Sequence, residues 1–248
     1  RQDVTYEIVS GARDGELVQS EDIDFLKVKY DPETPIVIRT EAVLHCCTVP
    51  LERLRETDLE GIPADISEEF LAASTDVPID PQGQTCQELI RELKGETPYE
   101  TVMNIMRWFR DNFTYKENPT QDSEGLLNEH FGVCHHYSVA ISALCRAAGI
   151  PARIVGGEVF GWANEDDQSV VGGGSHGWVE VYLNPIGWVE LDGLGYDTFG
   201  AVHRSMNVYL RFQTVGHVGN PILPHEFSLQ GSAKVEARLL EVTPAREL

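Results

Sequence analysis

Between Cys134 and Ala148 the chain has a helical stretch that leaves almost no side for water. Val139, Ala140, Ile141, Ala143, Leu144, Cys145 and Ala147 occupy most of its circumference. Only His135, Ser138, Ser142 and Arg146, spaced three, four and four apart, line up into one narrow polar stripe. A helix with this pattern has to be surrounded by other elements, so the fold is expected to be built around it. Gly149 terminates it, and Pro151 just beyond releases the chain into a strand over 152–160.

The helix opens on Cys134, in Gly132-Val133-Cys134. A thiol at a helix entrance sits where backbone N–H groups and the helix dipole stabilise thiolate, the form that attacks carbonyls. At about 100° per residue, Cys134 falls on the side shared by Ile141 and Cys145, away from the centre of the polar stripe. Its thiol is therefore expected to point into the fold. Downstream come His176, placed at a strand start in His176-Gly177-Trp178-Val179-Glu180-Val181, and Asp192, ending Gly187-Trp188-Val189-Glu190-Leu191-Asp192. Nucleophile, base and orienting carboxylate are the makeup of a Cys-His-Asp triad.

The register of the intervening hairpin decides whether His176 and Asp192 share a face. Pairing Leu183 with Gly187 sets Val181 against Val189, Val179 against Leu191 and Trp178 against Asp192, giving a clean apolar face. A slip by one would bury Asp192 opposite Val179. The preferred register places Glu180 opposite Glu190, a like-charge pair costing up to about 1 kcal/mol. It also needs a three-residue loop, which suits Pro185, whose fixed φ fits a primed two-residue turn poorly. His176 and Asp192 then lie diagonally, about 7 Å apart between Cα atoms, within reach of their side chains. Singly, a core thiol, a strand-end histidine and a turn aspartate are ordinary; on one face beside a helix start they point to function.

Ahead of this core, Val4–Val9, Phe25–Tyr30 and Ile36–Leu44 read as strands of a smaller β-rich module, and 59–81 as a connector with a helical turn after Ser67. The expected division is 1–75 and 76–248. Two capping boxes follow, at Thr85-Cys86-Gln87-Glu88 and Thr97-Pro98-Tyr99-Glu100, with Pro98 at the first helical position. The second helix carries Val102, Ile105, Met106, Phe109 and Phe113 at packing spacing. Residues 161–175, with Asp166, Asp167 and Gly172-Gly173-Gly174, read as a polar loop able to border or gate the site. Strands are expected at 208–212 and 235–242.

A formal net charge of −21, from 40 acidic and 19 basic side chains, argues against nucleic acid or an anionic membrane as partner. No apolar run reaches spanning length, so a soluble globular protein is expected. Five cysteines, at 46, 47, 86, 134 and 145, are too few and irregular for a disulfide framework, and the odd count leaves a free thiol within the monomer. Because the chain opens on Arg1, a processed or trimmed form is expected; a removed leader would fit export or an envelope setting, while compartment and oligomeric state stay open. His130, His135 and His136 near Cys134 raise the alternative of a metal-dependent hydrolase. Their spacing matches no common zinc pattern, and adjacent helical residues diverge by about 100°, so no metal and no cofactor is expected.

These residues resemble the transglutaminase-like superfamily, of bacterial or archaeal type. The resemblance rests on Gly132-Val133-Cys134, on Leu144 to Gly157, and on the blocks holding His176 and Asp192, with Trp108 to Tyr115 similar to the preceding helix. It implies an α+β fold with a papain-like core: a central helix, beginning at the nucleophile, packed on an antiparallel sheet that supplies His and Asp. It further implies Cys134 as nucleophile, His176 as base and Asp192 as orienter, acting on the amide carbonyl of a peptide or protein. Hydrolysis is preferred over crosslinking, because the sequence shows no acyl-acceptor signature. The Cys134 N–H and the Tyr115 side chain are oxyanion candidates, and Trp178 a candidate substrate contact. A non-catalytic scaffold is the alternative from another class; retention of all three triad residues argues against it.

Overall fold

The computed structural model describes residues 2–19, 24–30, 37–44, 49–74, 76–164, 169–194 and 207–215. The strand expected at 235–242, together with Cys46 and Cys47, lies outside them. In chain order the elements are β1 (Gln2–Ser10), β2 (Ala12–Gln19), β3 (Asp24–Tyr30), β4 (Val37–Leu44), α1 (Leu51–Arg55), α2 (Ala64–Phe70), α3 (Gln84–Leu93), α4 (Pro98–Asn112), β5 (Thr114–Tyr115), α5 (Ser123–Glu129), β6 (Phe131–Gly132), α6 (Cys134–Ala147), β7 (Ala152–Asn164), β8 (Ser169–Leu183), β9 (Gly187–Leu191) and β10 (Asn207–Val215). Strands β1 and β4 pair, as do β2 and β3; the charged run of β2 had hidden it from the sequence pattern. None of the helices among the described residues is long and apolar enough to cross a membrane.

Helix α6 is the centre of the structure. His136 to Arg146 are buried without interruption, and Val139, Ile141, Leu144 and Cys145 are fully so. Each aliphatic side chain of this kind contributes about 1.5–3 kcal/mol by leaving water. One face of α6 packs on β7 and β8, and other faces meet α3, α4 and α5. Its end is a complete Schellman motif: Gly149, at φ 84°, donates to the Arg146 carbonyl, and Ile150 donates to that of Cys145.

The polar stripe is not a solvent face. Arg146 is buried, donating from Nε and Nη2 to the Ala152 carbonyl at 2.9 and 2.7 Å and from Nη1 to the Ala72 carbonyl at 2.6 Å. It thereby ties α6, the start of β7 and the turn after α2 together. Burial pulls its pKa down to about 10, against the opposing pull of Asp76. Replacing Arg146 with Met keeps the stem but strips donors from two carbonyls, and is expected to lower stability by about 2–4 kcal/mol. Urea unfolding checks this as a lower midpoint with an unchanged slope.

The main sheet has the order β10-β7-β8-β9, every pair antiparallel. The β8–β9 register is the expected one, from Val179↔Leu191 to Leu183↔Gly187, with Asn184 to Ile186 between the strands. The like-charge cost at Glu180↔Glu190 is relieved by Arg153, whose Nη2 lies 2.7 Å from Glu180 Oε2 and whose guanidinium stacks 4.0 Å from the Trp188 ring centroid.

Several expectations need correction. Residues 161–164 and 169–175 are not a loop: they extend β7 and β8 into a long hairpin, with Phe160 opposite Gly173 and Glu158 opposite Ser175. A glycine run reads as loop because it lacks side chains, yet a central partner strand supplies its backbone with hydrogen bonds. His176 consequently sits within β8, opposite Gly157, and not at a strand start. The span read as a connector holds α2, which begins ahead of Ser67, and its Val77 and Ile79 are built into the same core as α6, as is Leu54 of α1 just ahead of it. The Thr97 cap holds, its side chain accepting from the Glu100 N–H, although the Glu100 carboxylate reaches past the N-cap to accept from the Glu96 N–H. The Thr85 box does not. Helix α3 begins at Gln84, and Thr85 donates its N–H and hydroxyl to Glu124 of α5 at 2.8 and 2.6 Å. Burial opposes charge on Glu124, but these bonds prevail and lower its pKa.

Candidate active site

Where α6 begins, a short parallel ladder aims it. Thr114 and Tyr115 of β5 pair with Phe131 and Gly132 of β6, and the Lys116 N–H donates to the Gly132 carbonyl at 3.1 Å. The ladder ends two residues before the nucleophile candidate. Gly132 is required for close approach, since a Cβ there would lie 2.4 Å from His136 Cβ. From the opposite side β8 runs against the first turn of α6, where a Cβ added at Gly177 would make an ordinary contact of 3.5 Å with His135 Cα. Gly193 admits α6 beside the chain leaving β9, because a Cβ there would lie 2.6 Å from Ile141 Cδ1.

These approaches bring the three expected residues together. His176 Nε2 is 2.9 Å from Asp192 Oδ2, and the other Asp192 oxygen accepts the Leu194 N–H at 2.9 Å. The second ring nitrogen of His176 therefore faces Cys134, with which it hydrogen-bonds. Asp192 is 6% exposed, so its bond to the imidazole is shielded from water.

The electrostatics follow from this geometry. Burial works against a charged Cys134, but the His176 hydrogen bond and the N–H groups of Gly177 and His135 outweigh it, and the thiol pKa falls below its ordinary value. Burial likewise works against a charged His176, but Asp192 and Cys134 outweigh it and raise its pKa to about 9. Both shifts act in favour of a thiolate–imidazolium pair. Cys86 and Cys145 lack such partners, and burial pushes both thiols up to about 12.

The other expected contacts divide. Trp178 is 1% exposed and stacks on His176, with ring centroids 6.2 Å apart and planes 21° from parallel. A side chain so enclosed offers substrate no surface; it forms a wall for the imidazole. Tyr115 is 59% exposed beside Gly132, on the rim of the site. The rings of His135 and His136 stand 5.7 Å apart and 76° from parallel. Among the described residues no three His, Cys, Asp or Glu side chains form a group able to hold a metal. The His135 N–H is one of the helix-entrance donors expected from the sequence; the thiolate-facing N–H of Gly177 and the close approaches at Gly132 and Gly193 were not legible as site features, although each glycine directly neighbours or nearly neighbours a triad residue.

Comparison with known proteins agrees with this geometry. Residues 87–193 match the family model of the transglutaminase-like superfamily, a span that includes Cys134, His176 and Asp192. A protein-glutamine gamma-glutamyltransferase of Pseudomonas aeruginosa is 27% identical over 119 residues, 45% of this chain and 18% of that protein. An uncharacterized protein of Haemophilus influenzae is 39% identical over 119 residues, 40% of this chain and 32% of its own length. The chain thus spans less than a third of either relative. The crystal structure of a candidate cysteine protease from Cytophaga hutchinsonii superposes with a TM-score of 0.58, over 87% of this chain and 72% of that one, at 18% identity. The shared fold is the expected α+β arrangement, a central helix on an antiparallel sheet.

Proposed function

We propose that the transglutaminase-like core at residues 87–193 is a cysteine enzyme that hydrolyses amide or peptide bonds through a thioester on Cys134, with His176 as acid and base and Asp192 as its orienter. The observation that carries this is the continuous hydrogen-bonded chain from Cys134 through His176 to Asp192.

The Cys134 thiolate attacks the carbonyl carbon, forming the C–S bond while the carbonyl π electrons move onto oxygen. The Cys134 N–H, at the first position of α6, is the oxyanion donor this geometry favours. As the intermediate collapses, the His176 nitrogen facing Cys134 protonates the leaving amine, and a thioester remains. Neutral His176 then takes a proton from water, which attacks the thioester; collapse releases the acid and restores the thiolate. Asp192 keeps Nε2 protonated throughout. Tyr115 is the candidate second oxyanion donor: Tyr115→Phe is expected to lower kcat by about 10²-fold or more with KM little changed. An unchanged kcat would reduce Tyr115 to a rim contact.

The ion pair sets the pH dependence. On the acid side activity is lost when Cys134 is protonated, at a pH below the ordinary thiol range because its pKa is lowered. On the alkaline side it is lost as His176 gives up its proton near about 9. A kcat/KM profile with its alkaline limb near neutrality would contradict the assignment.

One observation favours a second reading, in which a protein amine replaces water: the match to the Pseudomonas protein named as a gamma-glutamyltransferase. Incubating the protein with a glutamine-rich protein and a fluorescent primary amine separates the two. New amine termini or released ammonia without label supports hydrolysis. Covalent label supports transamidation. Absence of all three, for a panel of protein substrates, would count against both.

A further inference from the structure

Helix α6 begins without an ordinary cap. Its N-cap residue is Val133, whose side chain can accept nothing, where Ser, Thr, Asp or Asn would usually hold the first turn. A different arrangement fills that role. The Val133 N–H donates to His136 Nδ1 at 3.3 Å, so Nδ1 carries no proton and Nε2 must carry one. His136 Nε2 lies 3.3 Å from Gln121 Oε1, which accepts that proton. Gln121 is turned to accept because its own amide nitrogen donates to the Pro119 carbonyl at 3.1 Å. Every donor in the chain meets an acceptor with one assignment of protons.

Both ends of this relay are fixed. Thr120, between Pro119 and Gln121, donates its N–H to Glu129 Oε2 at 2.9 Å and its hydroxyl to Glu129 Oε1, clamping the segment to the last turn of α5. His136 is 9% exposed and abuts Gly132, where any side chain would collide with it. Burial also favours the neutral ring that the relay needs. The residue so held, Val133, is bonded directly to Cys134.

We infer that His136 is a positioning residue for the Cys134 nucleophile, holding the α6 N-terminus through Val133 and anchored in turn by Gln121. This rests on the reading of Cys134 as a reactive thiolate. The relay leaves the N–H groups of Cys134 and His135 to the reacting atoms. The His136 and Tyr137 N–H groups are already spent on the Val133 carbonyl, at 2.8 and 3.1 Å.

The test compares His136→Leu with His136→Asn, whose Oδ1 occupies the place of Nδ1 and can accept the Val133 N–H. Alkylation of Cys134 by iodoacetamide near pH 6 is expected to slow by about 10- to 100-fold in the Leu variant and to stay within about threefold of wild type in the Asn variant. A long-range proton–nitrogen NMR spectrum of the wild-type histidines needs no variant and should show His136 as the Nε2–H tautomer. Equal alkylation of the Leu variant and wild type, or an Nδ1–H tautomer, would overturn the inference. Equal slowing in both variants would assign His136 to packing alone and overturn it as well. Failure of the underlying reading looks different: wild-type Cys134 would then react no faster than an ordinary thiol.

Discussion

Cys134→Ala and His176→Ala are each expected to reduce kcat by about 10⁶-fold, and the double variant is expected to be hardly slower than either single one. The reason is in the hydrogen bond between them. Without His176 the thiol loses its largest stabilising partner, while desolvation continues to oppose the thiolate. Without Cys134 the imidazole has nothing to activate. Two groups that work only as a pair give losses that do not add, so a product of the single effects would refute a joint role. Burst kinetics with an activated ester, followed by mass spectrometry of the acyl-enzyme, checks that the acyl group resides on Cys134.

Asp192→Asn is the second large effect, expected at about 10⁴-fold in kcat with the fold retained. The wild-type carboxylate accepts on both oxygens, from His176 Nε2 and from the Leu194 N–H. Asparagine has one acceptor atom. If that atom keeps the Leu194 bond, the amide NH₂ faces Nε2 and forces it to accept, moving the ring proton to the nitrogen that faces Cys134. Such a histidine cannot take the thiol proton. The carboxylate that raises the His176 pKa is removed as well, so the alkaline limb near 9 should move to lower pH. A variant as active as wild type, with that limb unmoved, would remove Asp192 from the mechanism.

Features set by nearby residues were the legible ones. The all-round apolar pattern placed α6 at the centre, and Gly149 with Pro151 marked its end. The β8–β9 register followed from pleat alternation plus one awkward proline, and it carried the His176–Asp192 juxtaposition with it. What escaped the sequence depends on partners far along the chain. Thr85 looks like a cap because Glu88 lies three residues on, but the carboxylate that takes its protons belongs to Glu124, 39 residues away. Gly172 to Gly174 looked like a loop because nothing local reveals that β7 pairs with them. His136 reads in the sequence as one of the histidines clustered with His130 and His135 near Cys134. Its use as a cap becomes visible only when Val133 and Gln121 are placed on either side of its ring.

The most direct measurement is to map cysteine alkylation by mass spectrometry across about pH 5 to 9, in wild type and in His176→Ala. A His-paired thiolate requires selective modification of Cys134 at acidic pH, with Cys86 and Cys145 protected, and loss of that acid reactivity in the variant. Cys134 remaining inert in the native protein, or titrating as an ordinary thiol whether or not His176 is present, would contradict it.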